Sequence, residues 1–87
     1  MKGYKTSKDY ERMWELIQNG YEVPCFQQKE YSTTFLYARL MLDKNWIIGT
    51  AGYMLCEYNQ NKNDFIRACN DFNIEYLEPM EVEDEFK

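Results

Sequence analysis

Apolar and polar positions recur along the chain with two different periods, and the change of period marks out the elements. Tyr10, Met13, Trp14 and Ile17 fall at i, i+3, i+4 and i+7, with Glu11, Arg12, Glu15 and Gln18 mainly on the other side. This is the single apolar stripe of an amphipathic helix. Thr6-Ser7-Lys8-Asp9 has the form of a capping box, with Thr6 at the N-cap and Asp9 at the third helical position. Asn19-Gly20 supplies a stop, because glycine takes the left-handed conformation after a helix without a Cβ clash. The pattern predicts a helix over residues 7–19 that packs through Trp14.

The period then shortens. Tyr21–Gln27 alternates weakly and is β-prone, and Pro24 cannot donate to a ladder, which predicts an edge strand or extended chain beside one. Gln28-Lys29-Glu30 is a polar break. Tyr31–Leu42 supports two readings. A strand places Leu36, Ala38, Leu40 and Leu42 on one face and Phe35, Tyr37, Arg39 and Met41 on the other; a helix starting at Ser32 or Thr33 brings Phe35, Ala38 and Leu42 into register. Thr33, Thr34, Phe35 and Tyr37 prefer a pleated surface, which favours the strand. Asp43-Lys44-Asn45 makes a turn and Trp46-Ile47-Ile48 a return strand. Gly49 and Gly52 interrupt it, which suggests a bulge or bend, and Tyr53–Tyr58 continues it.

A polar loop over 59–63 leads into a second helix over 63–72, with Phe65, Ile66, Cys69 and Phe72 inward, Asn61 or Asn63 as N-cap, and Asp64 in the first turn. Asn73 suits the left-handed position at its end. Ile74–Leu77 alternates as a last strand, closed by Glu78-Pro79. The order α-β-β-β-α-β predicts an α+β domain over residues 1–79, an antiparallel or mixed sheet with both helices on one face. Residues 80–87 have few anchors and are expected to form a mobile acidic tail.

Composition sharpens this picture. At 87 residues, 45% hydrophobic and 17% aromatic, the chain is too apolar for disorder and long enough for one core. The net charge of −5 is unevenly placed: residues 75–87 hold six acids and one base, while residues 1–74 hold nine of each. There is no basic stripe, which argues against direct nucleic-acid binding. No apolar run approaches the length that spans a bilayer. Cys25, Cys56 and Cys69 are odd in number, widely spaced and without CxxC, as expected of reduced, mostly buried thiols in a cytoplasmic protein.

Candidate chemistry is sparse. The chain has no histidine, so Ser-His and Cys-His nucleophile systems are excluded. Cys25 follows Pro24 in a segment expected to be exposed and is the best reactive-thiol candidate, against the ordinary role of a small hydrophobe. Three scattered cysteines do not make a zinc site, and no metal or cofactor is expected. Gly49-Thr50-Ala51-Gly52 lacks the features of a phosphate-binding loop. The eight tyrosines lack basic interleaving; most are expected to bury the ring and leave the hydroxyl at the rim, and an aromatic patch on the outer sheet face would bind protein.

The expected function is therefore a non-enzymatic protein-binding module, an inhibitor or adaptor acting on a basic, nucleic-acid-handling partner. In size, acidity and tyrosine content it resembles small accessory proteins of phages and mobile elements. Glu81, Glu83, Asp84 and Glu85 are the expected partner-binding groups. The alternatives are a subunit that self-associates through a sheet edge or aromatic face, and a small thiol or carboxylate enzyme. Three free thiols can be checked directly. Alkylation of the freshly purified chain, unfolded without reductant, should modify all three cysteines; mass spectrometry showing a disulfide instead would overturn that expectation.

Overall fold

The computed structural model describes residues 6–50, 52–57 and 59–78. Eight elements follow in the order β1 (Thr6–Ser7), α1 (Tyr10–Gln18), β2 (Val23–Gln28), β3 (Thr33–Leu40), β4 (Trp46–Thr50), β5 (Tyr53–Glu57), α2 (Lys62–Asp71) and β6 (Ile74–Leu77). The strands form one sheet in the order β1-β6-β2-β3-β4-β5, antiparallel at every pairing. The fold is α+β, as the hydrophobic pattern implies. It has two strands more than the pattern predicts, one at the start and one from the division of Trp46–Glu57.

The first helix begins later than its apparent capping box. Thr6 and Ser7 pair with Leu77 and Tyr76 of β6, and the Thr6 hydroxyl donates to Glu75 at 3.0 Å. Asp9 is the N-cap instead, its carboxylate accepting the Arg12 amide at 3.2 Å. Tertiary pairing thus takes the residues that local sequence assigns to the helix. The other end follows the pattern. Gly20 has φ 94, its amide donates to Ile17, and the Tyr21 amide donates to Leu16. These two bonds satisfy carbonyls that the helix end would otherwise leave orphaned. In α2, Asn61 caps the amides of Asn63 and Asp64, and Asn73 takes φ 54 past the last turn.

Residues 33–40 are a strand and not a helix, because Leu36 and Ala38 reach the core while Phe35, Tyr37 and Arg39 alternate outward. Pro24 does not mark an edge: β2 lies inside the sheet, between β6 and β3. The Gln28 amide donates to the Asn73 carbonyl, so alternate residues of β2 direct their backbone groups to the β6 side. Pro24 is one of these. It lies beyond Cys25, where β6 pairing ends, so the missing N–H falls where that ladder has already stopped.

The chain reverses between Thr50 and Tyr53, which pair, with Gly52 in the turn. The expected single strand is therefore a hairpin, and the expected irregularity lies in it, where the register shifts between Ile48 and Gly49. Leu55 is the extra residue. It packs against the core beside Cys56, and Met54 turns to the opposite face.

Both helices cover one face of the sheet. The core joins Tyr10, Met13, Leu16 and Ile17 of α1 and Phe65, Ala68 and Cys69 of α2 to Val23, Cys25, Leu36, Ala38, Trp46, Ile48, Cys56, Ile74 and Tyr76. Trp14, expected to lead the packing of α1, is only half-buried; the fully buried indole is Trp46. Phe65 meets Trp46 edge-on at 5.1 Å and Trp14 at 5.4 Å, so one ring of α2 touches both β4 and α1. Full burial of an aromatic side chain contributes several kilocalories per mole. Trp46→Ala is expected to cost about 3–5 kcal/mol, the range for large aromatic truncations in a core. Trp14→Ala should cost less, and urea denaturation of the two variants would show the order. Equal losses would contradict the packing described.

Candidate functional site

Of the side chains that carry chemistry, the thiols are placed most deeply. Cys25 and Cys69 are fully buried and Cys56 nearly so. Burial pushes the Cys25 thiol up to about 12, helped by Cys56, and the Cys56 thiol up to about 11; Cys69 moves in the same direction by burial, then by Cys25 and Cys56. A reactive cysteine needs an accessible thiolate. Cys25 therefore fails the expectation that it lies in an exposed segment: Pro24 precedes it inside the sheet, and its side chain joins the core. Among the described residues, no group of three His, Cys, Asp or Glu is arranged to hold a metal ion.

The tyrosines divide into two sets. Tyr10 and Tyr76 are buried, the hydroxyl of Tyr10 donating to the Ile74 carbonyl and that of Tyr76 to Glu78 at 2.7 Å. Burial pushes Tyr10 up to about 12, helped by Cys69, Glu75 and Cys25. Tyr21, Tyr31 and Tyr37 are exposed, so among the described tyrosine side chains two bury their rings and three do not; Tyr4, Tyr53 and Tyr58, which the same expectation covers, lie outside the described side chains. Glu81, Glu83, Asp84 and Glu85, the partner-binding groups expected from sequence, lie outside the described residues.

The candidate site is the sheet face that carries no helix. Its composition follows from the register. One row across the sheet reads Pro24, Tyr37, Gly49, Met54; the next on one side reads Glu75, Phe26, Phe35; the next on the other reads Arg39, Ile47, Glu57. Phe35 is 69% exposed, Tyr37 45% and Met54 53%, while Phe26 and Ile47 are half-buried. Phe26 meets Phe35 edge-on across the strand pair at 5.8 Å, which braces the more exposed ring. Beside them a shallow depression of about 140 Å³ is lined by Glu22, Tyr37, Arg39, Ile47, Gly49 and Thr50. Arg39 lies 3.6 Å from Glu22 at its rim, both side chains about half exposed.

The alternation of β3 already places Phe35 and Tyr37 together on the outward face, and an outer aromatic patch is what the sequence leads one to expect. Met54 is not legible in this way, because the bulge at Leu55 reverses the alternation. Contiguous apolar surface of this kind, on a face with no covering element among the described residues, is a recurrent mark of an interaction surface. Aromatic side chains and methionine are the types enriched where proteins meet.

The buried thiols have a measurable consequence. The folded chain holds them neutral, whereas unfolded thiols ionise near 9. Stability is therefore present below pH 9 and is lost as pH rises toward 11 and 12, where Cys56 and Cys25 ionise in the folded state. Each such group steepens the loss by up to about 1.4 kcal/mol per pH unit. Urea midpoints measured from pH 8 to 10.5 should fall more gently for Cys25→Ala than for the parent, whatever the variant's starting stability; parallel slopes would show that Cys25 ionises as freely folded as unfolded. No protein-family model, no curated protein and no solved structure matches this chain.

Proposed function

We propose that this protein is a non-enzymatic protein-binding module, an inhibitor or adaptor, whose docking surface is the helix-free face of the sheet. The observation that carries the reading is the exposure of Phe35, Tyr37 and Met54 side by side on a face where the chain spends rigid, strand-mounted aromatic surface without using it in its own core. Fixing these rings on paired strands lowers the ordering cost of binding, since little further freedom is lost when a partner covers them. Energetically dominant contacts cluster in such central, desolvated aromatic patches.

The acidic residues Glu81, Glu83, Asp84 and Glu85 are proposed as a second contribution, accelerating encounter with a basic partner. Self-association is the second reading, and the sheet edges bear on it. Among the described residues β1 is two residues long, and β5 carries the bulge. Short and bulged edges are poor templates for an added strand, so association through the face is favoured over association through an edge.

Phe35→Ala and Tyr37→Ala should leave stability within about 0.5 kcal/mol of the parent, as for exposed positions. Each should weaken capture of the native partner, and the double variant should abolish it. Affinity capture from host extract, compared by mass spectrometry for parent and double variant, is the test. Partners retained equally by both proteins would remove the sheet face as the docking surface.

A further inference from the structure

The margin of this face specifies the class of partner, an inference that rests on the face being the docking surface. The charged groups lie at the ends of the rows described above. Glu75 stands beyond Phe26 on β6, and Glu57 beyond Ile47 on β5. Arg39, the base of the face among the described residues, has its charge answered by Glu22. Glu75 receives only neutral donors among the described residues, the Thr6 hydroxyl at 3.0 Å and the Gln28 amide at 3.2 Å. Glu57 is exposed and enters no ion pair among the described residues. The aromatic centre is thus flanked on opposite sides by two carboxylates that have no counter-charge among the described residues.

We infer that the face selects a protein surface whose apolar knobs are bordered by Lys or Arg, the basic groups meeting Glu57 and Glu75 as the apolar groups meet Phe35, Tyr37 and Met54. Charge at such a margin contributes chiefly to partner choice and encounter rate, while the rings contribute the buried area. A second copy of this chain is a poor occupant, because it presents the same two carboxylates and each chain carries −5. Like charges brought together across an interface oppose association.

Two synthetic amphipathic peptides with an identical Leu/Phe face, one flanked by Lys and Arg and the other by Glu, test this by fluorescence anisotropy. At low salt the basic peptide should bind about tenfold or more tightly than the acidic one, and the gap should close as salt shortens the screening length. Glu57→Gln with Glu75→Gln should remove most of that preference. Replacement of Glu81, Glu83, Asp84 and Glu85 by Gln or Asn should preserve it, which separates the face from the rest of the acidic charge. Phe35→Ala should weaken both peptides alike. A preference that survives the Glu57/Glu75 change, or that vanishes with the other four carboxylates, overturns the inference and leaves the docking face standing. Binding of neither peptide at millimolar concentration, or binding indifferent to Phe35→Ala, overturns the docking face as well. Sedimentation showing self-association that Phe35→Ala abolishes would put a second copy in place of the basic partner.

Discussion

The two helices and the sheet meet at one ring, Phe65, held between two indoles. Trp46 rises from β4 into the core and meets Phe65 edge-on, and Phe65 meets Trp14 on its other side. The sheet, α2 and α1 are thereby joined through a single aromatic cluster. The position of α2 matters because it carries the chain from β5, at one edge of the sheet, across to β6 beyond β2. Only when α2 is seated does Ile74–Leu77 arrive where β2 can pair with it, and only then has Thr6–Ser7 a strand to pair with. In a domain of this size, where total stability is roughly 5–15 kcal/mol, loss of one such cluster member is a large fraction of the whole.

Local signals located most elements, and the misreadings have a common cause. Where a residue's environment is decided by its own neighbours in sequence, the pattern was legible: the glycine stop of α1, the Asn61 cap, the left-handed Asn73, the alternation of residues 33–40. Where a distant strand decides, it was not. Thr6 and Ser7 look like a helix cap until β6 takes them. Pro24 looks like the mark of an edge because proline interrupts a ladder, but a ladder may end at an interior strand as well as run along it. Trp14 and Trp46 have equal claim to the core by composition, and only the packing of α2 assigns it to Trp46.

The outer face shows the same division. Phe35 and Tyr37 follow from period two once Leu36 and Ala38 are assigned to the core, so this part of the candidate site could be read directly. Met54 could not, since one extra residue in β5 moves it to the other side of the sheet. Glu57 and Glu75 were legible only as charge; their position at the ends of outward rows, Glu75 beyond Phe26 and Glu57 beyond Ile47, requires the register. The buried thiols, conversely, follow from chemistry more than position, as free cysteine is used most often as a small core side chain.

The place of β6 in the sheet also bears on the order in which the protein is made. Four strands, β2 to β5, are consecutive in the chain and adjacent in space, so they can pair as they leave the ribosome. The strand that completes the sheet on the other flank of β2 is the last of the described elements to be synthesised. Until it emerges, β2 presents an open flank, and β1 and α1, although made first, have no finished sheet to close against. Non-local pairing of this kind slows folding and lengthens the time that apolar strand surface is accessible to other chains. A nascent chain stalled before Ile74 would therefore expose the open flank of β2 as well as the outer apolar face, where the finished protein exposes the face alone.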